Sequence, residues 1–246
     1  MGKLLDTLQR AAKSSNSAIG FLGRAATASK PKAGAIVVTV GTDAAAVAAH
    51  LKAGADIVIV PIGTAVDAAK GAGVAWGVDA RTSEKLTGAE LRAIHEQGAD
   101  FVLLPSTVTM RVVSEPIEHF ERVLTVTPPK DDPLLLTFRA LNLVSVDAAV
   151  LDLRLNARDL ANMTVPDFTH LRTLCETLRF PKIITVQGVP ATEDVRTLAH
   201  LGAAAIWMTN ATPEEVGQLR EALEQVPRDT DSLGTALGNL PGGASR

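Results

Sequence analysis

Two Asp-x-Arg pairs, Asp79–Arg81 and Asp152–Arg154, are the best chemical candidates in this chain of 246 residues. Side chains alternate along an extended backbone, so a carboxylate and a guanidinium two positions apart share one face. Such a carboxylate can accept a proton from a bound molecule while the neighbouring cation holds that molecule's negative charge. The bland alternative is self-neutralisation, since a charge taken out of water is costly unless it is paired. Asp152 is the better candidate base and Asp79 the second; Arg81 and Arg154 are the candidate anion holders.

Other polar residues end apolar runs in the same way: Thr125 and Thr127, Thr185 and Gln187, and Asn210. Lys130, in the stretch TPPKDDP, follows such a run, as a Schiff-base lysine would. The carboxylates of Asp131 and Asp132 favour its charged form, so a surface lysine is expected. Lys182 opens a run and is expected to be structural. Cys175 is the single cysteine, and Leu171, Leu174 and Leu178 flank it at helical spacing, which points to a buried, inert thiol. One cysteine allows no internal disulfide, in keeping with a reducing, cytoplasmic setting. His50, His95, His119, His170 and His200 lie within helix-like stretches rather than at run ends, so no metal centre is expected. No G-x-S-x-G, G-x-G-x-x-G or phosphate-loop motif occurs.

What must position these residues is a beat that runs the length of the chain. Residues 35–40, 56–62, 75–80, 101–106, 122–127, 148–155, 182–188 and 204–210 are short runs rich in Val, Ile, Leu and Ala. Apolar residues on both faces suit parallel strands covered by helices on one side and by packed side chains on the other. Eight such runs with helices between them predict a single (β/α)8 TIM barrel of the α/β class, and the length is near the typical ~250 residues. Chemistry in that fold sits at the rim where strands end, and both Asp-x-Arg pairs fall there, on the third and sixth strands.

Helices are expected over 43–53, 65–71, 87–97, 115–121, 133–144, 165–178, 192–201 and 213–225. Thr87 with Glu90, and Thr212 with Pro213 and Glu215, read as helix starts. Gly54, Gly98 and Gly202 read as stops. LKAGADIVIVP (51–61) resembles HEQGADFVLLP (95–105), and HLGAAAIWM (200–208) echoes both, so a helix–Gly–Ala–strand unit recurs before even-numbered strands. The amphipathic residues 1–13 predict a helix at the bottom of the barrel. The barrel then occupies 1–226 and a tail 227–246, whose Leu233, Leu237 and Leu240 are available to pack on the barrel or on a second subunit. A homo-oligomer therefore stays open. After the strands, only 80–88, 106–114 and 155–164 are long enough to form a lid.

A net charge of −3, 3% aromatic residues and no tyrosine leave neither the field nor the stacking surfaces that nucleic acid needs. No apolar run nears the ~18 residues of a membrane span. Neither kind of partner is expected.

The segment ITVQGVPATEDVRTLAHLGAAAIWMTNATPEEV (184–216) resembles the last quarter of the phosphate-binding barrels, among them the ribulose-phosphate-binding group, the tryptophan-biosynthesis barrels and thiamine-phosphate synthase. In those families one strand ends in Gly-Gly-Ile/Val and the next in Gly-Ser. Their glycines let backbone N–H groups approach a substrate phosphate at a helix N-terminus. Here Gln187 replaces the first glycine, Gly188 is kept, and Thr209–Asn210 stands at the Gly-Ser position. The resemblance implies a TIM barrel acting as a lyase or isomerase on a small anionic, phosphorylated metabolite, with Gln187, Gly188 and Asn210 beside the anion. Because the cradle is incomplete, a barrel without catalysis that serves binding or assembly stays open. So, more weakly, does a flavin-binding barrel; no cofactor is otherwise implied.

Overall fold

The beat of apolar runs becomes a ring of parallel strands in the computed structural model, which describes residues 2–14, 34–39, 43–63, 67–71, 73–83, 85–128 and 135–226. The strands are β1 (Ala35–Thr39), β2 (Ile57–Pro61), β3 (Ala75–Asp79), β4 (Phe101–Leu104), β5 (Glu121–Val126), β6 (Ala148–Asn156), β7 (Lys182–Gln187) and β8 (Ala203–Met208). They pair in chain order, and β8 returns to β1 to close the barrel. Helix α1 (Lys3–Ser14) precedes them. Between and after them come α2 (Ala44–Ala53), α3 (Asp67–Lys70), α4 (Gly88–Glu96), α5 (Met110–Val113), α6 (Leu136–Leu141), α7 (Ala157–Ala161), α8 (Val165–Thr177), α9 (Thr192–His200) and α10 (Pro213–Gln225). The expected TIM barrel is the observed fold. Lys130 and the 227–246 tail lie outside the described residues.

Alternation divides the apolar side chains into two cores. Val58, Val60, Trp76, Val78, Val102 and Leu104 face the helices, whereas Val37, Ile57, Ile59, Phe101, Leu103 and Val150 face the axis. The strand registers stack the inner set in layers drawn from alternate strands. Ile57, Phe101, Ala148 and Ala205 form one layer, Val37, Gly77, Val123 and Ile183 the next, and Ile59, Leu103, Val150 and Trp207 the third. Glycine is required at 77, because a Cβ there would lie only 2.4 Å from the Phe101 ring carbons Cδ2 and Cε2.

Below these layers α1 plugs the barrel with Leu4 and Leu8, both fully buried among the inner residues. Its first turn leaves backbone N–H groups without helical partners. Glu121, at the base of β5, accepts from Leu4 N at 2.8 Å and from Leu5 N at 2.9 Å. Lys3 pairs with Asp100 at 3.0 Å beside it. Burial raises the Glu121 pKa above its ordinary 4.5, outweighing the two N–H bonds that lower it, and Asp147 and Asp100 push the same way as burial. A carboxyl raised on folding contributes stability below 4.5 that is lost as pH climbs through the raised value. Glu121→Gln cannot ionise and should escape that loss. The melting temperature of the wild type relative to E121Q is therefore expected to fall as pH rises through this window and to level off above it. A gap independent of pH would contradict this.

The helix expected over 115–121 is not there. Pro116 disfavours helical backbone at Glu115 and brings no N–H of its own. The helical turn forms upstream instead, as α5, after the extended Thr109. Residues 115–120 run as a loop braced by Arg122, which donates to the carbonyls of Phe120 and Glu115, and by the Arg92–Glu115 ion pair. His119 lies in this loop at φ 58°, outside any helix. The stretch 155–164, expected as a loop, holds the end of β6 and then α7, which Asn156 opens with a capping box to Asp159. The boxes expected at Thr87–Glu90 and Thr212–Glu215 both form, and Gly54, Gly98 and Gly202 all take positive φ.

Candidate functional site at the C-terminal rim

Toward their C-terminal ends the inward-facing residues turn from apolar to polar. Above the Trp207 layer the registers place Thr39, Asp79, Thr125 and Thr185 together. Asp152 stands one step higher on β6, and Gln187 higher still on β7.

The first pair forms, though not by strand alternation: β3 ends at Asp79, and Arg81 lies in the turn that follows. Asp79 accepts from Arg81 Nε at 2.8 Å on Oδ1 and from Nη2 at 2.7 Å on Oδ2, a bidentate ion pair. The Arg81 backbone N–H adds a third bond, 3.0 Å, to Oδ1. Held in this way, the guanidinium lies over the Trp207 ring with Cζ 4.4 Å from its centroid, a cation–π contact. Trp207 is fully buried, and its Nε1 donates to Thr39 Oγ1 at 3.0 Å. Asp79 thus fixes Arg81, Arg81 covers Trp207, and Trp207 is hooked to β1. Neither Trp207 nor Thr39 stands out in the sequence. The signal was available in register: Trp207 alternates with the inward Ala205.

The second pair does not form. The β6–β7 register shifts between Leu151 and Leu155, and Arg154 takes φ 51° inside that irregularity. The shift ends the strand alternation, so Asp152 and Arg154 do not share a face as expected. Arg154 is exposed and reaches Asp152 only by its backbone N–H, 3.3 Å from Oδ1. Thr185 Oγ1 lies 3.4 Å from the same oxygen and 3.3 Å from Leu151 O. Asp152 therefore has long hydrogen bonds and, among the described residues, no cation paired with it.

Gly188 (φ 79°) and Asn210 (φ 58°) sit just past β7 and β8, exposed and both left-handed. Gln187 is exposed beside them. The helix starts that follow are filled by their own acids. Asp194, buried at 7%, accepts from Ala191 N at 3.1 Å at the head of α9, and Glu215 accepts from Thr212 N at 2.7 Å at the head of α10. His50, placed mid-helix in the sequence, reaches this region from α2. Its Nδ1 lies 2.7 Å from Ala46 O and its Nε2 2.8 Å from Ala211 O, which ties α2 to the short loop after Asn210.

The remaining candidates sit elsewhere. Cys175 is buried on α8, where desolvation pushes its thiol up to about 11, too high for a nucleophile near neutrality. Desolvation lowers the Lys182 ammonium, but its bonds go to the carbonyls of Cys175 (3.0 Å) and Leu178 (3.1 Å) at the end of α8, at the bottom face. Among the described residues no group of three or more His, Cys, Asp or Glu side chains converges as metal ligands would, and no helix is long and apolar enough to cross a membrane.

No protein-family model matches the chain, and no curated protein matches it in sequence. Solved structures do match. The ligand-free tryptophan synthase from M. tuberculosis covers 91% of this chain and 100% of its own, with a TM-score of 0.62 at 12% identity. The thiamine phosphate pyrophosphorylase from Pyrococcus furiosus covers 78% and 96%, with a TM-score of 0.57 at 15% identity. The 3-hexulose-6-phosphate synthase from Salmonella typhimurium covers 78% and 100%, with a TM-score of 0.56 at 17% identity. The chain is a TIM barrel structurally similar to the ribulose-phosphate-binding barrel enzymes. Identities this low speak for the fold, and the chemistry must be argued from the rim itself.

Proposed function

We propose that the mouth of this barrel binds a small phosphorylated metabolite and that Asp152 moves a proton on it, in a lyase or isomerase reaction. The observation that carries this reading is the division of labour between the two rim aspartates. Both oxygens of Asp79 are committed to Arg81, whereas Asp152 has no ion pair among the described residues. A base must have an oxygen to offer, and Asp152 has one. Its step is the removal of a proton from a carbon next to a carbonyl. That carbon also carries a hydroxyl: the C–H electron pair forms a C=C bond and the carbonyl π pair moves onto oxygen. The hydroxyl proton passes to that oxygen, and as the hydroxyl's own oxygen becomes the new carbonyl the C=C pair takes the proton back from Asp152 at the former carbonyl carbon, which completes an isomerisation.

Anion binding falls to the cations and to the backbone. Arg81 keeps the N–H groups of Nη1 and the second hydrogen of Nη2 for a ligand, in a plane set by Trp207. Arg154 offers its exposed guanidinium. The left-handed backbone at Gly188 and Asn210 stands at the positions that the resemblance to the phosphate-binding barrels implies for the anion. The neighbours' own names support the class, since they specify a hexulose phosphate and thiamine phosphate.

One observation favours a second reading, a barrel that binds or assembles without turnover. Asp194 and Glu215 occupy the helix starts where a phosphate would otherwise sit, and they bring negative charge. Thermal unfolding against a panel of sugar phosphates and carboxylates separates the two. At a hundredfold excess over Kd a true ligand stabilises by about 2.7 kcal/mol. Stabilisation by phosphorylated compounds, reduced in Arg154→Ala, is the expected result. A panel without any shift would sink the first reading and leave the second.

A further inference from the structure

The polar layer beneath the mouth contains one group that is unbonded among the described residues. Thr39 accepts from Trp207, Asp79 holds Arg81, and Thr185 is within reach of Leu151 O and Asp152 Oδ1. Thr125 is the fourth member, and its Oγ1 is buried with no hydrogen-bond partner among the described residues. Buried hydroxyls are nearly always bonded, so an unbonded one in an otherwise satisfied layer calls for a partner from outside the protein. The residue as a whole is half-buried, so its exposure belongs to its other atoms. Turning χ1 to another staggered well would give up no hydrogen bond among the described residues.

Its position suits a particular task. Thr125 is the register partner of Val150, and Asp152 is the next inward residue on the same strand. Strand spacing and rise set the two Cα atoms roughly 8 Å apart, which leaves room for a substrate carbon and its oxygen between carboxylate and hydroxyl. We infer that Thr125 donates a hydrogen bond to the substrate oxygen attached next to the carbon that Asp152 deprotonates. This rests on the proposed binding of a phosphorylated metabolite at the rim. It adds that the metabolite carries a carbonyl at the end away from its phosphate. As the carbonyl π pair moves onto that oxygen, its growing charge strengthens the bond from the hydroxyl. No proton leaves Thr125.

The test uses two probes and two variants of the full chain. Inorganic phosphate reports the anion seat alone, and dihydroxyacetone phosphate with its five- and six-carbon ketose homologues reports both ends. Thr125→Val keeps the shape and removes the hydroxyl; Thr125→Ser keeps the hydroxyl. By calorimetric titration, Thr125→Val is expected to bind phosphate like the wild type and to lose about tenfold or more in affinity for the best ketose phosphate. Thr125→Ser should recover most of that loss. The melting temperature of the valine variant should not fall, because an unbonded hydroxyl contributes nothing to the fold. Equal losses for both probes, or none for the ketose phosphate, would overturn the role of Thr125 and leave the anion seat standing. A wild type that binds phosphate but no ketose phosphate would do the same. A wild type that binds neither would overturn the anion seat and this inference together. A lowered melting temperature in Thr125→Val, with a loss of ketose phosphate affinity that Thr125→Ser does not recover, would assign the residue to packing.

Discussion

Asp152→Asn should reduce turnover by about 10²–10⁴-fold while leaving the stabilisation of the protein by its ligand in place. The amide has nearly the shape of the carboxylate and can still accept from the Arg154 backbone N–H, 3.3 Å away, and from Thr185 at 3.4 Å. What it loses is the lone pair basic enough to take a proton from carbon. Binding, on the proposed reading, draws on the guanidinium groups of Arg81 and Arg154 and on the backbone near Gly188 and Asn210, and the change removes none of these groups. The expected signature is a fall in kcat with KM little altered. Asp79→Asn should behave differently. It weakens the bidentate hold on Arg81 and should raise KM before it affects kcat. If Asp152→Asn turned over its substrate as fast as the wild type, the base would have to be sought elsewhere.

Trp207→Ala should be the most damaging single change to the fold, at about 3–5 kcal/mol. Trp207 is fully buried in the layer with Ile59, Leu103 and Val150, and its removal empties the widest side chain of that layer. The loss also frees Thr39 from its bond to Nε1 and takes away the ring beneath Arg81. For a chain of this size each kcal/mol lowers the melting temperature by about 2–4 °C, so a fall of roughly 6–20 °C is expected. Trp207→Phe is the informative control. It keeps a ring under the guanidinium and loses the indole N–H, so its cost should be nearer 1 kcal/mol plus the volume change. A small effect of Trp207→Ala would mean that the upper layer is looser than the geometry indicates.

The barrel was legible in the sequence because parallel strands buried on both faces need continuous apolar runs, and eight such runs separated by capped helices leave few other folds. The nearness of Asp79 to Arg81 was legible from their spacing, although the turn after β3, where the Arg81 N–H bonds Asp79 Oδ1, brings them together rather than strand alternation. The Asp152–Arg154 pairing was not. The letters DLRL read as unbroken alternation, and nothing in them announces the register shift between Leu151 and Leu155 that puts Arg154 in left-handed backbone. Arginine carries no preference for that conformation, so tertiary pairing with β7 decides it. The link from Thr39 to Trp207 escaped for a related reason: it joins residues 168 positions apart, and only closure of the ring brings them together. The misplaced helix at 115–121 is a different kind of miss: Pro116 stands within that span and disfavours helical backbone at Glu115.

The plug under the barrel bears on how the chain assembles. Leu4 and Leu5 donate their backbone N–H groups to Glu121, 117 and 116 positions later, and Leu4 and Leu8 lie in a floor shared with Ala205 and Trp207. Contacts of such long sequence separation are entropically expensive to close and form slowly. During synthesis α1 must therefore wait for β8 before it can seat. Until then its apolar stripe stays uncovered while the eight strands are made.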